Sequence, residues 1–304
     1  AYGQKEGVFK MATAYVLYNP LAGSGRYTSA VERLKAKLNE QIVLWNVTQQ
    51  PVDERLFSRL KPEDTIVLCG GDGTLNCFAN SVQDLCISHE ILYYPCGSGN
   101  DFARDLGKEN SEEPFSVKQW ICDLPKVKVN GNTYRFLNGV GYGIDGYCCQ
   151  MGDVLRAIPG KKVNYTGIAI KGLLFHYKPT TAKVTVDGVT TTHDHVWLAP
   201  TMHGRFYGGG MYPTPGQERS KGDGKLSVMV YRSRSKLVAL IVFPSLFKGE
   251  HVKHKKQVKI YSGSEITVEF DRPAPLQVDG ETILNVTSYT AYAAPVKAEQ
   301  PATV

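Results

Sequence analysis

Ile66-Val67-Leu68-Cys69-Gly70-Gly71-Asp72-Gly73-Thr74-Leu75-Asn76 is the stretch whose reading decides how this chain folds. Ile66, Val67 and Leu68 read as a short buried strand, two of them being β-branched. Gly70 and Gly71 let the backbone turn sharply and come close to a ligand. Asp72, Gly73 and Thr74 follow, and from Leu75 the residues Leu75, Phe78, Ala79 and Val82 recur at helical spacing. A strand, a glycine turn and a helix N-terminus gather backbone N–H groups and a helix dipole at one point, which suits phosphate. The lysine-bearing loop Gly-x-x-x-x-Gly-Lys-Ser/Thr occurs nowhere in the chain. The charge at this turn is negative, and an acid beside a phosphate makes chemical sense when a divalent cation lies between them. One Gly-Gly alone is equally a tight βα turn with Asp72 as the helix cap; the full string from Gly70 to Asn76 favours the phosphate reading.

Toward the N-terminus, residues 13–18 form an apolar strand, followed by Asn19-Pro20-Leu21-Ala22-Gly23-Ser24-Gly25-Arg26 and a helix over about 29–38. Residues 41–47 make the next strand, which ends in Thr48, and a helix near 52–60 leads into the Ile66 strand. Residues 91–94 make a fourth strand, closed by Pro95. Cys96-Gly97-Ser98-Gly99-Asn100-Asp101-Phe102-Ala103 then gives another glycine loop with an acid, opening a helix. Alternating strand and helix predicts a doubly wound parallel sheet, whose ligands bind at the carboxyl ends of the strands, where all three glycine loops fall.

Past Leu124 the pattern changes to short strands, at 126–129, 134–141, 183–186, 190–199, 225–231, 258–261, 265–270 and 276–278. Asp187-Gly188 and Asp279-Gly280 between such runs signal hairpins. This half reads as an antiparallel sandwich or barrel, interrupted by helical patches at 152–177 and 235–247. Residues 288–293 are expected to return as a strand to the first domain. The expected division is an α/β domain over 11–124, joined by 286–304, and a β-sandwich domain over 125–285.

A length of 304 residues can bury two cores. The formal charge of +6 permits anionic partners such as a nucleotide or an acidic membrane, and equally a solvated basic surface. No apolar run of 18 residues occurs, so no transmembrane helix is expected. Ala1 to Lys10 lack the pattern of a signal peptide, and Met11 reads as a natural start. Seven cysteines show no Cys-x-x-Cys and no zinc spacing, and their odd number in apolar contexts points to a reducing cytoplasm.

Together these blocks resemble the diacylglycerol kinase catalytic-domain family, most of all its soluble bacterial lipid kinases. The residues that carry the resemblance are Asn19-Pro20, Gly23-Ser24-Gly25, the Gly70–Asn76 string and Gly97-Ser98-Gly99-Asn100-Asp101-Phe102-Ala103-Arg104. It continues through Asn138-Gly139-Val140-Gly141-Tyr142-Gly143-Ile144-Asp145, Asp223-Gly224-Lys225-Leu226 and Asp279-Gly280-Glu281, covering roughly residues 13–290 in order. The resemblance implies a first domain of the 6-phosphofructokinase and NAD-kinase type, a lipid-binding β-sandwich second domain, and an active site in the cleft between them. It further implies ATP as donor and transfer of the γ-phosphoryl group to a lipid hydroxyl, converting diacylglycerol to phosphatidic acid. By the same resemblance Asn19, Gly23, Ser24, Thr48, Gly70, Gly71, Asp72, Gly73, Thr74, Asn76, Ser98, Asn100 and Asp101 belong to the nucleotide site. Asp72, Asp101 and Asp145 match acids that hold Mg2+ through water, and Glu281 matches the general base, with Asp72 as the alternative base found in related sphingosine kinases. A second, structural Mg2+ would lie at Asp223 with the carbonyls of Ser220 and Lys225; Ser220 departs from the apolar residue usual there.

The chemistry agrees with that reading: phosphoryl transfer needs charge neutralisation, in-line placement and a proton acceptor. Glu281 is expected to be partly buried or close to other acids, which would make it a better base. A NAD kinase or phosphofructokinase-like enzyme is the competing reading, because Gly-Gly-Asp-Gly occurs there too; a sphingoid-base kinase and a non-catalytic nucleotide-sensing or lipid-binding module are others. The basic residues Lys248, Lys253, Lys255, Lys256 and Lys259 follow the apolar segment 237–247, a combination suited equally to peripheral contact with an anionic membrane and to a solvated helix end. The apolar segment 168–175 is read as an acyl-chain lining or as core. No nucleic-acid partner is expected, and a homodimer is compatible with the sequence.

Overall fold

The computed structural model describes residues 12–20, 26–38, 40–82, 85, 87–158, 160–161, 163–219 and 224–295. The chain divides into two compact units, one of residues 1–98 and 110–122, the other of 99–109 and 123–304. In chain order the first part contains β1 (Thr13–Tyr18), α1 (Arg26–Lys37), β2 (Gln41–Asn46), α2 (Glu54–Phe57), β3 (Thr65–Gly70), α3 (Asp72–Ser81) and β4 (Glu90–Pro95). Next come α4 (Asp101–Asp105), β5 (Phe115–Ser116) and α5 (Lys118–Ile121), of which α4 belongs to the second unit.

The first unit is a five-stranded sheet in the order β2-β1-β3-β4-β5. The pairs β1–β2, β1–β3 and β3–β4 are parallel, and β5 runs antiparallel to β4. Ala14, Val16, Val67 and Cys69 alternate onto one face, where they meet Ala30, Val31 and Leu34 of α1. Leu17, Ile66 and Leu68 are buried at the alternate positions. A parallel sheet covered on both faces therefore reads as a nearly unbroken apolar run, and each such side chain contributes roughly 1.5–3 kcal/mol on burial. The buried Asp64 carboxylate fixes the start of β1 by accepting from Thr13 N at 2.9 Å and Lys61 N at 2.8 Å.

The second unit continues with β6 (Lys126–Val129), β7 (Asn132–Arg135), β8 (Gly139–Tyr142), α6 (Ile144–Arg156) and α7 (Tyr165–Lys171). A wide π-type turn, Gly172–His176, prolongs α7. Then follow β9 (Thr180–Val186), β10 (Val189–Leu198), β11 (Thr201–Met202), β12 (Leu226–Arg232), α8 (Lys236–Val242), β13 (Val258–Gly263), β14 (Glu265–Val278) and β15 (Glu281–Tyr292). Tight 3₁₀ turns at Phe243–Lys248 and Glu250–Lys253 lead from α8 to β13. The strands form one ten-stranded antiparallel sheet, ordered β7-β6-β15-β14-β8-β11-β12-β10-β9, with β13 on β12. It closes on itself through β14: Leu276–Val278 pair with β8, and Ile266–Phe270 pair with β9. The interior holds Val140, Val184, Val228, Val230, Ile266 and Leu276, and the Tyr142 ring stacks on Phe270 at 3.7 Å between centroids. The alternate residues Trp197, Met229 and Tyr231 face outward and are covered by Ile144 of α6, Leu173, and Ala239 of α8. Both faces of β12 are thus buried, which is why its sequence carries no polar alternation.

Several sequence expectations change. Residues 134–141 are not one strand: β7 and β8 are separated at Phe136-Leu137-Asn138. The expected strands at 265–270 and 276–278 are one long β14, whose register breaks between Glu269 and Ala274, beside Pro273 and Pro275, which have no N–H to donate. Residues 288–293 do not return to the parallel sheet: β15 pairs with β14 and β6, because Val286, Tyr289 and Ala291 enter the β interior. Residues 99–109 leave the first unit for the second, held there by contacts described below. The first helix after β8 begins at Ile144, before the expected patch.

Candidate functional site

In the first unit, parallel pairing sets the carboxyl ends of β1 to β4 on one edge: Tyr18 aligns with Asn46 and Cys69, and Gly70 with Pro95. Asn19, Thr48, Gly71 to Thr74 and Ser98 all leave from that edge. Backbone bonds tie the exits together, Val47 N to Tyr18 O at 3.1 Å and Cys96 N to Gly70 O at 2.9 Å. Thr48 is exposed, and its N–H and hydroxyl both donate to Asn46 Oδ1, at 3.0 and 2.8 Å. The helix begins at Asp72 itself, with Gly71 as its cap residue, so Asp72 stands in the first turn, where the helix dipole favours its charge. Asp72 is therefore not the cap that a plain βα turn would make of it. A Cβ on Gly70 would lie 2.4 Å from Thr74 Oγ1, so a side chain there would push α3 away from β3. A Cβ on Gly73 would meet nothing within 4 Å, and packing does not demand a glycine at that exposed position. Asn76 is buried and accepts from Asn80 Nδ2 at 3.1 Å. The Cys69 and Cys96 sulfurs lie 3.7 Å apart at the ends of β3 and β4, and the neighbouring thiol together with burial pushes the Cys69 thiol well up. Gly23 and Ser24 lie outside the described residues.

In the second unit a different device gathers the acids. Residues 203–211, His203-Gly204-Arg205-Phe206-Tyr207-Gly208-Gly209-Gly210-Met211, form a loop pinched by paired backbone bonds between Tyr207 and Met211. Gly208, Gly209 and Gly210 all have φ between +61° and +107°, which explains three glycines in a row. Gly209 N donates to Asp101 Oδ2 at 2.7 Å, and Tyr207 Oη donates to Asp145 Oδ2 at 3.1 Å. One loop thus holds two buried carboxylates. Asp145 stands in the first turn of α6 and also accepts from Gly146 N at 2.9 Å. Burial drives its pKa up to about 6, against the Gly146, Tyr207 and Gln277 hydrogen bonds, which pull the other way. Burial and the Asp145 charge push the Tyr207 phenol well up, so it remains the donor. Gly141 has no room for a side chain, since its Cβ would fall 1.6 Å from Asp145 Oδ2.

Helix α4 is fixed to this unit by a second cluster. Asp105 accepts from Arg205 Nε at 2.7 Å and from Arg219 Nε at 3.0 Å. Arg219 also donates to Leu137 O and, at 2.9 Å, to Asn138 Oδ1, and its guanidinium lies 4.9 Å from the Phe102 ring centroid. Asn100, at φ 51°, precedes α4 in the left-handed region, a conformation that asparagine tolerates.

Glu281 opens β15 after Asp279 (φ 46°) and Gly280 (φ 95°), the backbone signature of a tight hairpin turn. That turn is clamped on both sides. Asp279 accepts from Asn138 N at 2.8 Å, Gly139 N at 3.0 Å and Leu137 N, and Gln277 Oε1 accepts from Gly280 N at 2.7 Å. Glu281 itself is exposed, which corrects the expectation of partial burial: the turn projects it outward. It lies beside α6, where Asp145, Cys149 and Asp153 share a face at four-residue spacing. Burial and the charges of Asp145, Asp153 and Glu281 together raise the Cys149 thiol to about 12. Thr282 Oγ1 donates to Asp153 Oδ2 at 2.6 Å.

The carboxylates present are hard oxygen donors of the kind Mg2+ takes. Among the described residues no group of three metal-ligating side chains comes together. The buried carboxylates of Asp101 and Asp145, each hydrogen-bonded to the 203–211 loop, fit a cation held jointly by one or two carboxylates and substrate phosphates. Of the expected second cation site, Ser220 and Asp223 lie outside the described residues, and the Lys225 carbonyl accepts from Gln217 Nε2 at 2.9 Å. His193 is buried, with Nε2 3.2 Å from Tyr261 Oη, and a bulge after it interrupts the pairing of β10 with β9.

The loop 203–211, Asp105, Arg219, Gln277 and the clamping role of Asp279 escaped the sequence reading. The Gly208-Gly209-Gly210 run was the one visible signal.

Residues 13–123 match the diacylglycerol kinase catalytic domain, and residues 138–296 match the YegS C-terminal NAD kinase beta sandwich-like domain. A protein of Mycobacterium tuberculosis named diacylglycerol kinase is 27% identical over 250 residues, spanning 78% of this chain and 79% of its own. A candidate lipid kinase of Staphylococcus aureus is 28% identical over 234 residues, 74% of this chain and 72% of its own. The solved structure of a candidate diacylglycerol kinase from Bacillus anthracis superposes with a TM-score of 0.64 at 21% identity, covering 100% of both chains, which is a likeness of fold.

Proposed function

Because the chain belongs to the diacylglycerol kinase catalytic-domain family, we propose that it is an ATP-dependent lipid kinase that phosphorylates a lipid hydroxyl, with diacylglycerol as acceptor and phosphatidic acid as product. The observation that carries the reading is the acid set of the second unit. Asp101 and Asp145 are hung from one loop, and Glu281 is presented in the open on a hairpin turn clamped by Asp279 and Gln277. A solvent-facing carboxylate on a clamped turn, beside the helix that carries Asp145, supports a group that takes a proton from an incoming substrate.

In this reading the first unit binds the nucleotide. The backbone N–H groups at the start of α3 and the loops carrying Asn19, Thr48 and Ser98 receive the phosphates and the rest of ATP. Asp72, Asp101 and Asp145 are the acids that would hold Mg2+, which when bound neutralises phosphate charge. Glu281 orients the lipid hydroxyl and takes its proton as the oxygen–phosphorus bond forms and ADP leaves. The loose transition state of phosphoryl transfer asks mainly for position and charge compensation, so an exposed carboxylate on a stiff turn suffices as acceptor. Asp72 is the second candidate for that proton.

The test is transfer of label from γ-labelled ATP to diacylglycerol, a sphingoid base, a polyprenol and NAD, each offered separately. Label in phosphatidic acid is the expected result. Label in NAD alone would replace the lipid reading with the NAD kinase reading, and no label in any acceptor would overturn the enzyme.

A further inference from the structure

The second unit exposes large apolar side chains on two neighbouring helical segments. Phe175 is 74% exposed, on the π-type turn after α7, and Leu237 and Ile241, one turn apart on α8, are each 66% exposed. The two segments are joined: Lys236 Nζ donates to Leu174 O at 2.8 Å, and Leu173, Ala239 and Val242 share one buried cluster beneath them. The inner residues of both segments complete the cover over Trp197 and Tyr231, so packing accounts for them. It does not account for Phe175, Leu237 and Ile241. Soluble chains seldom leave such residues together on one surface without a use for them.

Charge identifies the partner. Residues 165–178 and 235–249 contain Lys171, Lys178, Lys236 and Lys248 and not one aspartate or glutamate. All four lysines are exposed. Apolar side chains that protrude among lysines, with acids excluded, match the interface of an anionic bilayer: the apolar groups enter the acyl boundary and the ammonium groups meet lipid phosphates. The basic run at Lys253, Lys255 and Lys256 lies at and just after the Glu250–Lys253 turn, which carries no large exposed apolar side chain.

The geometry points to the α7–α8 surface, centred on Phe175, Leu237 and Ile241, as the face by which this protein docks on an anionic membrane. The inference rests on the reading that the acceptor is a lipid, which such docking would bring within reach.

The experiment is co-sedimentation of the full chain with phosphatidylglycerol–phosphatidylcholine vesicles, without nucleotide. Phe175→Ser/Leu237→Ser/Ile241→Ser is expected to lose at least about tenfold in vesicle affinity. Lys171→Glu/Lys236→Glu is expected to lose about tenfold or more, and wild-type binding is expected to weaken in high salt. Lys255→Glu/Lys256→Glu is the comparison and should lose less. All these residues are exposed, and an unchanged thermal melt verifies the fold. Wild-type affinity in both patch variants would overturn the proposal. So would gel filtration showing that the triple variant splits a dimer while vesicle binding stays intact, which would make the face a contact between copies. Turnover on a water-soluble short-chain diacylglycerol separates the two readings. If the wild type turns over that acceptor and the patch variants bind vesicles normally, the docking face alone fails. If the wild type phosphorylates no lipid and the patch variants still lose vesicle binding, the kinase reading alone fails.

Discussion

Replacing Asp105 by alanine tests how the second unit holds its acids. The Asp105 and Arg219 side chains are each 3% exposed, so their ion pair at 3.0 Å is almost free of solvent screening. Truncation leaves the Arg219 guanidinium with the Leu137 carbonyl, the Asn138 amide and the Phe102 ring, and with no counter-charge from Asp105. Breaking one side of a buried pair costs about 3–5 kcal/mol, because the remaining charge stays desolvated. For a unit of this size, about 2–4 °C of melting temperature per kcal/mol gives a fall of roughly 6–20 °C. The Arg205 pair adds little, since Arg205 is 36% exposed and water can replace its partner. Differential scanning calorimetry, which resolves two transitions if the units melt separately, is the assay. Asp105→Ala/Arg219→Met, which removes both charges, should recover most of the loss. A fall below about 2 °C for Asp105→Ala, or no recovery in the double variant, would refute the claim that a desolvated ion pair anchors α4.

Three further outcomes are expected. Gly141→Ala places a methyl 1.6 Å from Asp145 Oδ2, and the displaced carboxylate should cut turnover about 10²-fold; full activity would show that Asp145 need not be fixed. Tyr207→Phe removes the phenol that donates to Asp145 and should destabilise the second unit by about 1.5–3 kcal/mol, read from urea unfolding; no change would mean that Gly146 and Gln277 alone satisfy the carboxylate. Burial, then the Arg219 charge, hold His203 neutral well below its usual 6.5. The unfolded chain takes up that proton below about pH 6.5 and the folded chain does not, so this stability is complete above about 6.5 and falls by up to about 1.4 kcal/mol per pH unit as the solution is acidified. Urea midpoints from pH 7.5 to 5.5 should show that slope flattened in His203→Gln, and an equal slope in both would contradict it.

What the sequence shows depends on how local the cause is. The Gly70-Gly71-Asp72 turn is legible because strand, turn and helix lie within eleven residues and each follows from neighbouring side chains. The Asp279-Gly280 hairpin is legible for the same reason, through two positive φ angles. The Asp105–Arg219 pair is not legible, since its partners are 114 positions apart and each residue alone looks like an ordinary surface charge. The glycines at 208–210 announce a left-handed path, but nothing nearby in the chain says that Gly209 will meet Asp101 or that Tyr207 will meet Asp145. Pro273 and Pro275 hid the continuity of β14, because a proline in a strand reads as an end and here marks a register shift. Glu281 was expected to be partly buried or close to other acids; it is exposed at the start of a clamped hairpin, beside the helix that carries Asp145 and Asp153, and the clamp depends on Gln277 and on backbone groups 140 positions away.

The measurement closest to the centre of the account is single-turnover phosphoryl transfer from ATP to diacylglycerol by Glu281→Gln, with ATP affinity measured on the same sample. The account predicts that the chemical step slows at least about 10²-fold while ATP affinity stays within about twofold. A wild-type rate of transfer in that variant would contradict it, and would hand the proton to Asp72 or to no carboxylate of this chain.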